Sequence, residues 1–231
     1  GCIICGGKAG SREHVFPAAF GGRRENKGIY CKVHNEQFGG HVAALLTELD
    51  VFNAALGVRP DRWEDVRPAP VVGPDGETYL MSRGRLELAP PPDIDESYTG
   101  FVAPQDHKFP SQRVASQWMT RQEKNGFRVR ATPAGPPATQ FFTEPARASR
   151  TLGEPPFMRA LLYLGVTFLA HRFPELARTP GLDDAKRELS SESSELAVPV
   201  WWQRPQVLAQ LPPNPFEHGH TVAISVNAVS G

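Results

Sequence analysis

Apolar side chains recur at Val42, Leu45, Leu46, Leu49, Phe52 and Leu56. That is the spacing of one helix face, and Gly57 follows where a helix C-cap belongs, so a helix is expected over 41–56. A second apolar run, ALLYLGVTFLA over 160–170, lies between Arg159 and His171. It is too short to cross a bilayer and suits a buried core helix. Pro155 and Pro156 open it and Pro174 lies beyond it, which sets a helix over 156–172. Shorter helices are expected over 112–124 and 183–189. Alternating or β-branched stretches predict strands over 78–88, folded back at Arg83-Gly84, and over 97–103, 127–131, 139–143, 196–202 and 221–229. Near the start, 10–17 reads as extended, Phe20-Gly21-Gly22 as a turn and 27–30 as a second short strand. The proline runs 90–92 and 136–137 are breaks, and no internal repeat is visible.

Composition changes this picture little. Of 231 residues, 40% are hydrophobic and 22% charged, close to the globular average. With 23 Pro and 21 Gly, many loops are expected. The formal net charge is zero, which excludes a basic coat over the whole chain but leaves room for a local patch. Residues 1–41 carry such an excess, with Lys8, Arg12, Arg23, Arg24, Lys27 and Lys32 against Glu13, Glu25 and Glu36. The expected organisation is α+β: a small unit at 1–57, then a Pro/Gly-rich α+β region at 58–231. No secretory leader opens the sequence, which begins on Gly1 and enters a cysteine motif at once. The absent initiator Met and the strand-like run at the other end suggest a piece of a longer chain.

Cysteine placement is more informative. Cys2, Cys5 and Cys31 are the three cysteines of the chain. An odd number with a C-x2-C spacing makes a poor disulfide framework and a good metal framework once a fourth ligand is present. His34 supplies it, completing C-x2-C-x25-C-x2-H. Two knuckles, each offering two ligands, build a tetrahedral structural zinc site, and neighbouring backbone N–H groups can donate to the thiolates. Such a site fits a reducing, cytoplasmic compartment. A 57-residue unit is too small to fold on its own core, so the metal would staple it.

Between the knuckles stand Glu13-His14, Pro17, Gly21-Gly22 and Asn26, with Asn35 just after His34. This constellation resembles the HNH endonuclease family, the ββα-metal nucleases, in the branch with a four-ligand zinc. The tight match covers residues 2–40. Two positions depart from that branch: His34 stands where Cys is usual, and Glu13 where Asp is commoner. The resemblance implies a ββα finger in which Glu13 and Asn35 hold a catalytic Mg²⁺ or Mn²⁺ and His14 is the general base. Asn26 would brace the catalytic loop. The implied products are a 5′-phosphate and a 3′-hydroxyl.

The chemistry is consistent with these residue types. Phosphodiester hydrolysis needs an activated water and charge neutralisation on the phosphate and leaving oxygen. An imidazole titrating near neutrality can take the water's proton, and carboxylate and amide oxygens suit a hard cation. Glu13 and His14 are consecutive, so an extended strand would point them apart; a bulge or twist is expected to bring both to the phosphate. Arg23, Arg24 and Lys27 flank the loop and are candidates for phosphate contacts. The expected partner is DNA, double-stranded, in restriction or phage defence among other settings, with no membrane association. A homo-oligomer or regulatory partner could use the C-terminal region. The alternative is a zinc-stapled module that binds nucleic acid, or serves a structural role, without cutting. Weaker candidates are His41, which could touch a phosphate or simply face solvent at its helix start, Asp106-His107 and His218 with His220, which have no supporting knuckle or ligand spacing, and Trp201-Trp202, expected as core or interface rings.

Overall fold

The computed structural model describes residues 1–61, 65–94, 107–130, 141–150 and 152–198, with 200 and 222. Strands β1 (Glu13–His14) and β2 (Glu25–Asn26) are followed by helices α1 (Lys32–Gln37) and α2 (Gly39–Leu56). Strands β3 (Ala69–Val72), β4 (Thr78–Ser82) and β5 (Arg85–Leu88) come next, then α3 (Gln112–Lys124). Helices α4 (Pro155–Arg172) and α5 (Asp183–Leu189) end the described elements. Short 3-10 turns lie at Ala18–Phe20, Leu176–Arg178 and Pro180–Leu182. Among the described residues the architecture is mixed α+β with two small antiparallel sheets. Among the described residues no helix is long and apolar enough to cross a membrane.

The chain divides into two units: Gly1–Arg67 with Arg150–Gly231, and Pro68–Ser149. The boundary therefore does not fall at residue 57, and 58–231 is not one body. The reason is visible in the first unit's core. Ile3, Ile29, Tyr30 and Phe38 from the N-terminal segment share one buried cluster with Tyr163, Val166 and Ala170 of α4 and Leu189 of α5. A second cluster joins Phe20 and Leu45 to Phe157, Met158 and Ala160. Helix α4 buries residues on several sides, as expected of a helix apolar nearly all round. The N-terminal segment completes its core with residues lying more than a hundred positions later.

Within α4, Arg159 is buried with Glu188 of α5: Nε and Nη2 donate to Oε1 at 2.8 and 2.6 Å. Nη2 also donates to the Ser193 carbonyl at 3.0 Å, and Glu188 Oε2 accepts from the Ala197 N–H at 2.9 Å. With its hydrogen-bonding capacity used in this way, the pair can persist in an apolar interior.

Local chemistry sets the element ends. Cys31 is the N-cap of α1 and His34 lies one turn on, because a C-x2-H knuckle needs both ligands on one side of a first helical turn. Helix therefore begins nine residues before the apolar period at 41–56, with a break at Phe38. The expected stripe is also only partly buried: Leu45 is fully enclosed, whereas Phe52 and Leu56 are 46% and 36% exposed. Gly57 closes α2 at φ 68°, with its N–H on Ala54 and that of Val58 on Asn53, the glycine cap expected there. The second strand is Glu25–Asn26 rather than 27–30. Asn26 Oδ1 accepts from the Gly28 N–H at 2.7 Å, and this side-chain turn ends the ladder. Ile29 and Tyr30 instead bond backbone to Ile3, Gly10 and Ser11.

In the second unit, β3, β4 and β5 form a three-stranded meander. The β4–β5 turn at Arg83-Gly84 has φ of 50° and 70°, the left-handed pair that suits a two-residue hairpin. Strand β3 went unpredicted because Pro70 lies within it; as the edge of its sheet it tolerates the missing donor. The described parts of the expected strands 127–131, 139–143 and 196–202 are not strand. The expected strand 97–103 and all but Val222 of 221–229 lie outside the described residues, as do Asp106, Trp201-Trp202, His218 and His220.

Candidate metal centre and the groups around it

Cys2, Cys5, Cys31 and His34 converge, their ligand atoms all within 4.8 Å of one another. His34 Nδ1 lies 3.1 Å from Cys31 Sγ and 3.6 Å from Cys2 Sγ. Metal–ligand bonds of about 2.3 Å to sulfur and 2.0 Å to nitrogen imply tetrahedral edges near 3.5–3.8 Å, so the four residues fit an ion such as zinc. The three cysteines are free thiols. Burial alone would raise the Cys2 thiol, but hydrogen bonds from the backbone at Cys5, Cys31 and Ile4 overcome it and bring it to about 6. These are the N–H donors expected of a knuckle. Among the described residues this is the one group of three or more His, Cys, Asp or Glu side chains placed to hold a metal.

The β1–β2 ribbon distributes the remaining candidates. Glu13 pairs with Asn26 and His14 with Glu25 in a regular antiparallel register. Directly opposed residues share a face, so Glu13 and Asn26 lie on one side and His14 and Glu25 on the other. The first side is turned to α4. There Tyr163 Oη donates to Glu13 Oε1 in a short hydrogen bond, and Asn26 Nδ2 donates to His171 Nδ1 at 3.0 Å. Burial raises the Glu13 carboxyl, partly offset by the Tyr163 hydroxyl. The Tyr163 ring is held by Tyr30, Phe38 and His41, at centroid distances of 6.3, 5.9 and 5.6 Å. Its phenol is pushed up, first by burial and then by the charge of Glu13.

On the other side, His14 Nε2 lies 3.9 Å from both Glu25 Oε1 and Asp61 Oδ2, with 13% of its side chain exposed. No bulge interrupts the strand, so the expectation that Glu13 and His14 turn to one point is corrected: two successive residues on a regular ribbon face apart. Asn35, on α1, donates through Nδ2 to the Arg12 carbonyl at 3.4 Å. Its Oδ1 is buried with no hydrogen-bond partner.

The glycine turn between the strands has a steric basis. Gly21 holds φ 82°, and a Cβ on Gly22 would stand 1.7 Å from the Phe16 carbonyl oxygen. The basic residues are unequal. Arg23 Nε faces Asp61 Oδ1 at 3.6 Å, Arg24 Nη1 faces His171 Nε2 at 3.5 Å, and Lys27 is exposed. His41 is turned inward, its Nε2 donating to the Leu189 carbonyl at 2.9 Å. Tyr163, Asp61 and His171 are the residues near the candidates that sequence reasoning missed. Each is remote in sequence from the motif, and no local spacing marks it.

Comparison with protein-family models, with curated proteins and with solved structures finds no match for this chain. The metal cluster and its surroundings therefore stand on their own geometry.

Proposed function

We propose that the chain is a metal-dependent endonuclease of the HNH type, hydrolysing DNA phosphodiester bonds around a structural zinc. The observation that carries this reading is one link. The helix that starts at the second knuckle returns Asn35 to the backbone of Arg12, beside Glu13-His14, and leaves the Asn35 amide oxygen buried without a donor. A buried acceptor left unpaired costs about 1–3 kcal/mol, and a hard cation would satisfy it. Asn35 Oδ1 and Glu13, whose Oε1 is already bonded to Tyr163, would hold that Mg²⁺ or Mn²⁺. When bound, the cation supplies charge neutralisation on the phosphate and leaving oxygen. For His14 to take the water's proton, the β1 strand would have to twist and bring its imidazole round to the cation that Glu13 would hold. Asn26 braces the loop through Gly28 and His171. Arg24 and Lys27 meet backbone phosphates, and Arg23 joins them by exchanging its Asp61 contact.

One observation favours a second reading, a zinc-stapled module that binds nucleic acid without cutting: Glu13 and His14 occupy opposite faces of the ribbon. Supercoiled plasmid separates the two. The nuclease converts it to nicked and linear forms with Mg²⁺ or Mn²⁺ and is stopped by EDTA. A binding module shifts the plasmid in a gel and leaves it intact in every metal.

A further inference from the structure

Hydrogen-bond bookkeeping fixes the tautomer of His171. Asn26 Oδ1 already accepts from the Gly28 N–H at 2.7 Å, so the atom it presents to His171 is the amide nitrogen, a donor. His171 Nδ1, 3.0 Å away, must accept. A neutral imidazole has one donor and one acceptor, and the proton therefore sits on Nε2. That N–H faces Arg24 Nη1 at 3.5 Å, a guanidinium that can only donate. Two donors are thus turned toward each other. The charged groups acting on the ring are Arg24 and Arg172, both cations. An oxyanion accepting from Nε2 and Nη1 together would resolve the mismatch and meet favourable charge.

We infer that Arg24 and His171, with the tautomer set by Asn26, form a phosphate clamp shared between the N-terminal loop and the end of α4. The ligand class is a phosphate oxyanion, and only its assignment to a DNA backbone rests on the nuclease reading above. Arg24 contributes charge, whereas His171 contributes a neutral hydrogen bond. The two therefore leave different signatures in salt dependence.

The test uses the full, zinc-loaded chain with ¹⁵N-labelled histidine. Inorganic phosphate should shift the His171 ring nitrogens saturably, and the shift should vanish in Arg24→Gln. For a short DNA duplex, Arg24→Gln should weaken binding and lower the slope of log affinity against log salt by about one. His171→Gln should weaken binding about tenfold with the slope unchanged. Zinc content and far-ultraviolet circular dichroism confirm that both variants fold. Phosphate binding without duplex binding would support the clamp while removing the nucleic-acid reading. A duplex bound and cut equally well, with the same salt slope, by wild type and both variants would overturn the clamp and spare the nuclease.

Discussion

His14 is the side chain whose loss should be felt most in chemistry and least in structure. It lies outside the metal cluster, and its neighbours Glu25 and Asp61 are 3.9 Å away, too far for direct hydrogen bonds. His14→Ala should retain zinc and thermal stability and lose about 10²–10⁴ in plasmid-nicking rate; a variant that cuts as fast as wild type would remove His14 as the base. Tyr163 tests the opposite face. Tyr163→Phe keeps the ring among Tyr30, Phe38 and His41 and deletes the hydroxyl that donates to Glu13. The expected outcome is a raised half-saturating Mn²⁺ concentration, with the rate recovered at saturation. A fall in rate that no metal concentration repairs would assign Tyr163 a different role.

Among elements, α4 has the widest reach, and its anchor is testable. Arg159→Ala removes the cation that faces the buried Glu188 carboxyl, which should cost about 3–5 kcal/mol in denaturant unfolding. A loss below 1 kcal/mol would mean that water reaches the pair. The bounds of α3 and nearly of α4 are legible because caps and prolines are local signals: Ser111 accepts from the Val114 N–H, and Pro155 and Pro156 occupy the first turn of α4; α5 has no such cap, its N-cap being Leu182. The metal ligands were legible for the same reason, being two short spacings. What α4 touches was not. The pairs Tyr163 with Glu13 and His171 with Asn26 span 150 and 145 residues, and nothing in either segment names its partner. The start of α1 was also hidden. Its first turn carries two of the four clustered Cys/His side chains rather than an apolar period, and Val33 on it is 69% exposed.

At the scale of the molecule, the first unit's core is shared with α4, and zinc on the Cys3His cluster is the second fastener we propose. Binding of a structural zinc contributes about 10–16 kcal/mol to small domains, so a strong chelator or Cys31→Ser should abolish the near-ultraviolet signature of Tyr30 and the rings around it. If one fastener sufficed, residues 1–67 with zinc would unfold cooperatively alone. The shared core predicts that they will not, and that adding residues 150–198 in trans restores a cooperative transition by calorimetry. A sharp transition in the isolated segment would refute this. That division also orders events on the ribosome. Ile3, Ile29, Tyr30 and Phe38 emerge first, but their partners on α4, such as Tyr163, follow only after the whole of 68–149 has been made, roughly 6–25 s later at ordinary rates of synthesis. During that interval α2 can cover part of this apolar surface, through Val42 and Leu45, but the face that α4 will take stays open. Synthesis is thus the stage at which that face is open to other chains.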